Sequence, residues 1–487
     1  MIGKQQDVAS NLELEPLHIE SEEHTDGLTV QRRTYDSYGW SKKDSDVIRE
    51  DHTDTTPVIA EAPSVGGYSI PQWLNDRLFP PHLPRDVQLL RLENIAIPAC
   101  YLLVGTMQGM FRPLLNVYPL FLHATEAQQT TLSNIATLPA AFKIIYGFIS
   151  DNLPLVGYRR KPYMLIGWLV ASLVMLSLTL TSNLHIPGDV SEVSDTETPE
   201  DAPSIQQLSI SFFIFGLGMW FADVMADSLV VQKVSWEPED QKGSLQSTCY
   251  ACRFFGLMVS APISTYLYSN AGGPYHIVSC LIVGPLLLMP LIYALDEARN
   301  VPIKSTRDQC HEIWETVCSR SVWQPMGFIY VFNLLQVSNA AWRQFLKTVL
   351  GFTAQELNIL LVVSYVLLYL GTITYKYCFL HSSWRRVYQS CILLNAFFSG
   401  LQLLLVRGKL PFGLSPFMFA LGDEVFAEFI GGIQFLPTTI MMVALCRDGV
   451  EGASYAMFTT VWNSAMMLAP AIRYVGLVSS TLATFNL

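Results

Sequence analysis

Asp223 and Asp227 stand one helical turn apart in "GLGMWFADVMADSLVVQKV" (216–234), a stretch otherwise dominated by apolar residues. An ionised carboxylate only accepts hydrogen bonds, a protonated one also donates, and two crowded acids resist joint ionisation. Such a pair in a lipid-length helix is suited to taking up and releasing protons. It is also expensive, since each buried charge costs on the order of 2.5–3.5 kcal/mol at the bilayer centre on insertion scales. The spacing of four puts both acids on one helix face. That face must meet a wet cavity, the interior of a bundle or a counter-charge. Lys143 and Arg253, each inside another apolar run, are the natural counter-ions. Two readings stay open at this point. The four charges either pair to fix helix packing, or they border a solute path in which the acids exchange protons and the bases attract an anion.

A second constellation is "GFISDNLPLVGYRRK" (147–161), in which Gly147, Asp151, Arg159 and Arg160 end one apolar run and precede the next. A close-packing glycine, an acid and a basic pair at a membrane face suit an interhelical latch that breaks and re-forms as two bundles rock. Gln108 offers an amide to a solute, and Trp220, Tyr250 and Trp342 offer rings for stacking. "EVFAE" echoes "DVMAD", but its acids, Glu424 and Glu428, lie far from Arg447 and so near the opposite mouth. Cys249 and Cys252 form a lone C-x-x-C inside an apolar run, which reads as two small buried residues. There is no Walker motif, zinc-protease motif or catalytic triad, and no enzymatic role, metal or cofactor is expected. Small solutes, protons and the lipid bilayer are the expected partners, with no nucleic acid, and a monomer is expected.

The elements that position these residues follow from hydropathy. Of 487 residues 51% are hydrophobic, although the first ninety or so are polar and acidic. Apolar runs near the twenty residues needed to span a bilayer recur at 94–111, 130–149, 162–182, 207–232, 246–268, 276–294, 324–342, 356–376, 387–406, 417–446 and 453–472. The fold class is therefore all-α and polytopic, with eleven clear spans and a short or missing twelfth. The last segment, "AIRYVGLVSSTLATFNL", is either a stunted span or an end. The expected organisation is a disordered cytosolic tail (1–92), a six-helix bundle (93–294), a cytosolic linker (295–322) and a second, apparently truncated bundle (323–487). "YRRKPY" (158–163) has a counterpart in "WRRVY" (384–388) at the corresponding place in the second half.

Orientation follows from the bias of Lys and Arg toward cytosolic loops. With a cytosolic tail, inner loops hold Arg159, Arg160, Lys161, Lys233, Lys242, Arg299, Lys304, Arg307, Arg320, Arg385, Arg386 and Arg447. Outer loops hold only Arg112, Lys347, Arg407 and Lys409. The formal net charge of −11 says little, because much of it comes from the tail and one loop.

"KIIYGFISDNLPLVGYRRKPY", "ADVMADSLVV" and "GSLQSTCYACRFFG", in this order, resemble the folate–biopterin transporter family of the major facilitator superfamily, from about residue 90 to about 470. The resemblance implies a two-bundle carrier that moves folates or pterins, with protons as the coupling ion. Its pattern falls on Gln108, Gly109, Lys143, Gly147, Asp151, Gly157, Arg159, Arg160, Asp223, Asp227 and Arg253. On the solute-path reading Asp223 and Asp227 are the proton-coupling pair, and Lys143, Arg253 and Gln108 are substrate-binding. Another solute on the same fold, or a non-transporting receptor or scaffold, is the alternative. Ala140 and Ile144 stand where the family commonly has a Pro-Trp pair and a proline, so neither a proline kink nor a ring stack at Lys143 is implied for this chain.

Overall fold

An apolar run in lipid has to satisfy its own backbone, and a helix does so locally. The computed structural model is accordingly helical. It describes residues 72–184, 201–270, 273–302, 305–335, 345–346, 348–352, 354–408, 415–447 and 449–485. The tail to residue 71, Trp342, Lys347, Lys304 and Lys409 lie outside the described residues, as does the side chain of Glu424.

In chain order the helices are α1 (Gln72–Leu78), α2 (Ala96–Met110), α3 (Arg112–Asn116), α4 (Tyr118–Phe121), α5 (Glu126–Thr137), α6 (Lys143–Asn152), α7 (Lys161–Thr181) and α8 (Ile205–Val234). Then come α9 (Ser244–Asn270), α10 (Pro274–Ala294), α11 (Thr306–Cys318), α12 (Arg320–Leu335), α13 (Ala354–Thr374), α14 (Trp384–Val406), α15 (Pro416–Ala444) and α16 (Glu451–Phe485). Among the described residues, seven stretches are long and apolar enough to cross a membrane by themselves. The other four expected spans fall on α2, α9, α12 and α16. Helix α9 falls short in apolarity because Gln246, Ser247, Arg253, Ser260 and Ser264 interrupt it, and all five are buried inside the protein. Of "AIRYVGLVSSTLATFNL", the described residues 471–485 continue α16 without a break and form no separate helix.

Small residues set the helix pairs, as they do where lipid supplies no hydrophobic drive between helices. A Cβ on Gly105 or Gly256 would strike the backbone of the facing helix, so α2 and α9 lie backbone to backbone. Gly167 on α7 and Gly218 on α8 meet each other's carbonyls in the same way, as do Gly371 on α13 and Gly432 on α15 with the facing helix. Between the two halves of the chain, α6 packs on α16, and α9 packs on α13. Lys376, just beyond α13, donates to Thr248 Oγ1 of α9 at 2.7 Å across that second contact.

The second expected span is broken. Leu138–Phe142 forms a 3-10 turn between α5 and α6, with Pro139 in its first turn. A kink frees backbone groups that must find other partners. Ile144 N–H donates to Thr460 Oγ1 (3.2 Å), Asn463 Nδ2 donates to Ala140 O (3.3 Å), and Tyr146 OH donates to Pro139 O (3.1 Å). Two of the three partners come from α16, so the kink also joins the halves.

Candidate functional site

The kink delivers Lys143, the first residue of α6, to the acids of α8. Its Nζ lies 2.7 Å from Asp223 Oδ2 and 3.7 Å from Asp227 Oδ2. It also lies 4.6 Å from the centre of the Trp220 ring. A kink and a ring stack at Lys143 are thus present, which corrects the expectation drawn from Ala140 and Ile144. Pro139, one residue earlier, bends the chain, and the tryptophan comes from α8 instead of α6. Arg253 reaches across from α9 and donates to the other oxygen of Asp223. Its guanidinium rests 5.0 Å over the Tyr101 ring and 5.3 Å over that of Tyr250. Such contacts lower the cost of holding a cation away from water.

The two acids are not equivalent. Asp223, 0% exposed, is clamped by both bases. Asp227, 1% exposed, accepts from Tyr101 OH at Oδ1, while its Oδ2 has no hydrogen-bond partner among the described residues. Two bases and two acids leave the cluster neutral, as burial demands. Around it stand the partly buried rings of Trp220, Phe254, Phe435 and Trp462. Phe435 makes edge contacts with Tyr250 (4.8 Å) and Phe254 (5.1 Å), and lies 5.3 Å from Trp462. Gln108 sits two turns from Tyr101 on the same face of α2, roughly 10 Å away. It is partly buried and makes no side-chain hydrogen bond among the described residues.

The basic constellation forms a second site at the end of the bundle where α6 stops and α7 begins. Arg160, fully buried, donates to Asp151 Oδ1 and Ser150 Oγ. The other oxygen of Asp151 accepts from Ala453 N–H at 2.7 Å, at the N-terminal turn of α16. Glu451 Oε2 lies 3.9 Å from Arg160. Gly147 abuts the Gly452 carbonyl, and a Cβ on Gly452 would come 2.7 Å from Arg160 Nη1. Thus Gly147, Asp151 and Arg160 converge on α16. Arg159 does not join them. It donates to Pro302 O at 2.6 Å, and the backbone N–H groups of Arg159, Arg160 and Lys161 all donate to Glu297, each at 2.8 Å. That carboxylate serves the orphan donors at the start of α7 and straps the linker to it. Glu297 gives no sequence signal beyond being an acid after a span.

Glu237 is a further buried acid that pattern reading passes over, lying in the polar run "WEPEDQKG" between α8 and α9. It accepts from Gly243 N–H (2.8 Å) and Leu245 N–H (2.5 Å), and Gly243, with φ +87°, packs on Ile440 of α15. Burial raises its pKa to about 7, against the pull of those two bonds, Lys242 and Lys376. A raised folded pKa means that Glu237's contribution to stability is full below about pH 4.5 and is lost as pH rises through about 7. The loss amounts to about 3 kcal/mol at most. Wild-type melting temperature should therefore fall between pH 5 and 8, whereas Glu237→Gln should flatten that slope. Parallel slopes for the two proteins would remove Glu237 as its source.

Glu428 is partly buried on α15, a helix that runs unbroken through Pro437. Cys249 and Cys252 are free thiols on α9, Cys249 fully buried.

The fold and the family match together make the chain a multi-pass membrane transporter of the major facilitator type and not an enzyme. The chain aligns with the major facilitator superfamily proton:xylose symporter XylE at a TM-score of 0.56 and 12% identity, covering 80% of this chain and 89% of that one, which establishes the fold. The BT1 family matches residues 108–479, and the chain belongs to that family. It is 24% identical over 390 residues to the "Folate-biopterin transporter" of Synechocystis sp., covering 77% of this chain and 73% of the relative. To "Folate transporter 2" of Plasmodium falciparum it is 23% identical over 366 residues, covering 74% and 76%.

Proposed function

We propose that this chain is a proton-coupled carrier of folate- or pterin-like organic anions. The observation that carries the reading is the neutral, four-charge cluster of Lys143, Arg253, Asp223 and Asp227, ringed by partly buried aromatics. An anion entering that cluster adds a negative charge that the low-dielectric interior resists. A proton taken up by Asp227 offsets it and releases positive charge from Lys143 and Arg253 to the substrate. Flat rings of the pterin kind suit Trp220, Phe254, Phe435 and Trp462, and Gln108 supplies an amide. Asp223 then holds the two bases in place through the cycle.

Alternating access follows from rocking of residues 93–294 against 323–487 about the 295–322 linker. The basic loops, and with them the N-terminal tail, face the cytosol. In that orientation Gly147, Asp151 and Arg160 form the inner latch on α16, while Glu424 and Glu428 belong to the outer mouth. The similarity to folate and folate–biopterin transporters supports the substrate class.

The test is uptake of radiolabelled folate and of a labelled pterin in a transport-deficient cell at external pH 5.5 and 7.5. Saturable uptake, faster at the lower pH, is expected. Uptake of neither solute at normal surface expression overturns the substrate class.

A further inference from the structure

Between the charge cluster and the end of the bundle that carries the Arg160 latch lies a layer of polar groups that the mechanism above does not use. Gln246 and Tyr250 are on α9, and Tyr455 is on α16, so the layer joins the two halves. Gln246 Nε2 donates to Tyr455 OH at 3.0 Å, and the hydroxyls of Tyr455 and Tyr250 lie 3.2 Å apart. All three side chains are buried, and Gln246 Oε1 has no hydrogen-bond partner among the described residues. An amide half-satisfied in a dry interior costs free energy, so this arrangement stands out against ordinary packing. Its position is specific. Along α9, Gln246 precedes Arg253 by two turns, roughly 10 Å. The Tyr250 ring makes an edge contact with that of Tyr101 at 5.3 Å, and Tyr101 donates to Asp227.

We infer that Tyr455 is the gate residue of the second half: its hydroxyl, held by Gln246 and Tyr250, seals the acid pair from the latch end of the bundle. The inference rests on the transport reading for its purpose, but not for its test. When α16 swings away from α6 and α9, the two hydrogen bonds break together and Tyr101 and Asp227 are uncovered on that side. The unpartnered Gln246 Oε1 makes the closed layer less than fully satisfied, so it opens at modest cost. The Arg160 latch then holds the rim while Tyr455 closes the passage one layer deeper.

A native reporter exists. Cys249 is fully buried one turn along α9 from Gln246, whereas Cys310, Cys318 and Cys378 are exposed and provide an internal reference. The full chain, reconstituted in liposomes, is treated with N-ethylmaleimide, and the labelling rate of each cysteine is followed by mass spectrometry. Tyr455→Phe keeps the ring and leaves a gap no larger than one hydroxyl, too small to admit the reagent, so faster labelling reports opening and not a cavity. It removes both hydrogen bonds and should speed Cys249 labelling about tenfold or more relative to the exposed cysteines. Gln246→Met removes one and should speed it about fivefold. Unchanged Cys249 rates in both variants overturn the gate. Because no substrate is added, the gate can stand even where folate uptake fails, and it can fall where folate uptake succeeds.

Discussion

Asp223→Ala should strongly destabilise the folded protein. The substitution strips two buried bases of the acid they share, since Lys143 Nζ and Arg253 both bind Asp223 and only Lys143 has Asp227 within reach, at 3.7 Å. Breaking a buried pair by removing one partner typically costs 3–5 kcal/mol, because the remaining charge stays dry and uncompensated. Here two charges are orphaned together, against a total stability of roughly 5–15 kcal/mol for a folded protein. The measurement is the melting temperature of the purified protein in detergent, with a fall of more than about 5 °C expected. A companion separates charge from shape. Asp223→Leu combined with Asp227→Asn, Arg253→Met and Lys143→Met removes all four charges together, and replacing a buried ion network by uncharged groups is often neutral or stabilising. The quadruple variant should recover much of the melting temperature while transporting nothing. If Asp223→Ala melts within about 1 °C of wild type, Asp223 is not the clamp, and the division of labour between the two acids fails with it.

That division was beyond the reach of sequence. A spacing of four says that Asp223 and Asp227 share a helix face, and buried cost says that they need partners, so Lys143 and Arg253 are legible as counter-ions. Which acid takes which base depends on the azimuths of three helices, and no periodicity encodes those. Tyr101 escaped notice for a related reason. A tyrosine in an apolar run is ordinary, and only the packing of α2 against α8 brings its hydroxyl to Asp227. Motif comparison was misleading at Lys143. It located the kink and the ring by residue position, whereas the fold supplies the bend one residue early through Pro139 and the ring from another helix through Trp220. The "YRRK" loop was half legible: adjacent arginines point in different directions, one to α6 and α16, the other to the linker. Helical spans, by contrast, follow directly from length and apolarity, because lipid leaves the backbone no alternative.

Asp227→Asn should separate binding from coupling. The amide keeps the shape of the carboxylate, and its carbonyl oxygen can still accept from Tyr101 OH, so the clamp at Asp223 is untouched and the protein should fold. What is lost is the ability to gain and release a proton. The cluster then carries a fixed excess of positive charge, which on the proposed mechanism is its substrate-binding state. Exchange of labelled for unlabelled substrate, with no proton gradient, should run within about twofold of wild type. Net uphill uptake should vanish. With one proton per singly charged substrate anion the symport is electroneutral, and a pH difference of one unit can sustain roughly tenfold accumulation, since a tenfold ratio corresponds to about 1.4 kcal/mol. Wild-type liposomes should approach that ratio, and those with Asp227→Asn should stop near one. The pH dependence of uptake should flatten in the variant for the same reason. An accumulation ratio equal to wild type would show that the proton is carried elsewhere, and Asp227 would then serve only to balance Lys143. Loss of exchange as well as accumulation would place Asp227 in substrate binding and remove the case for a proton step at this residue.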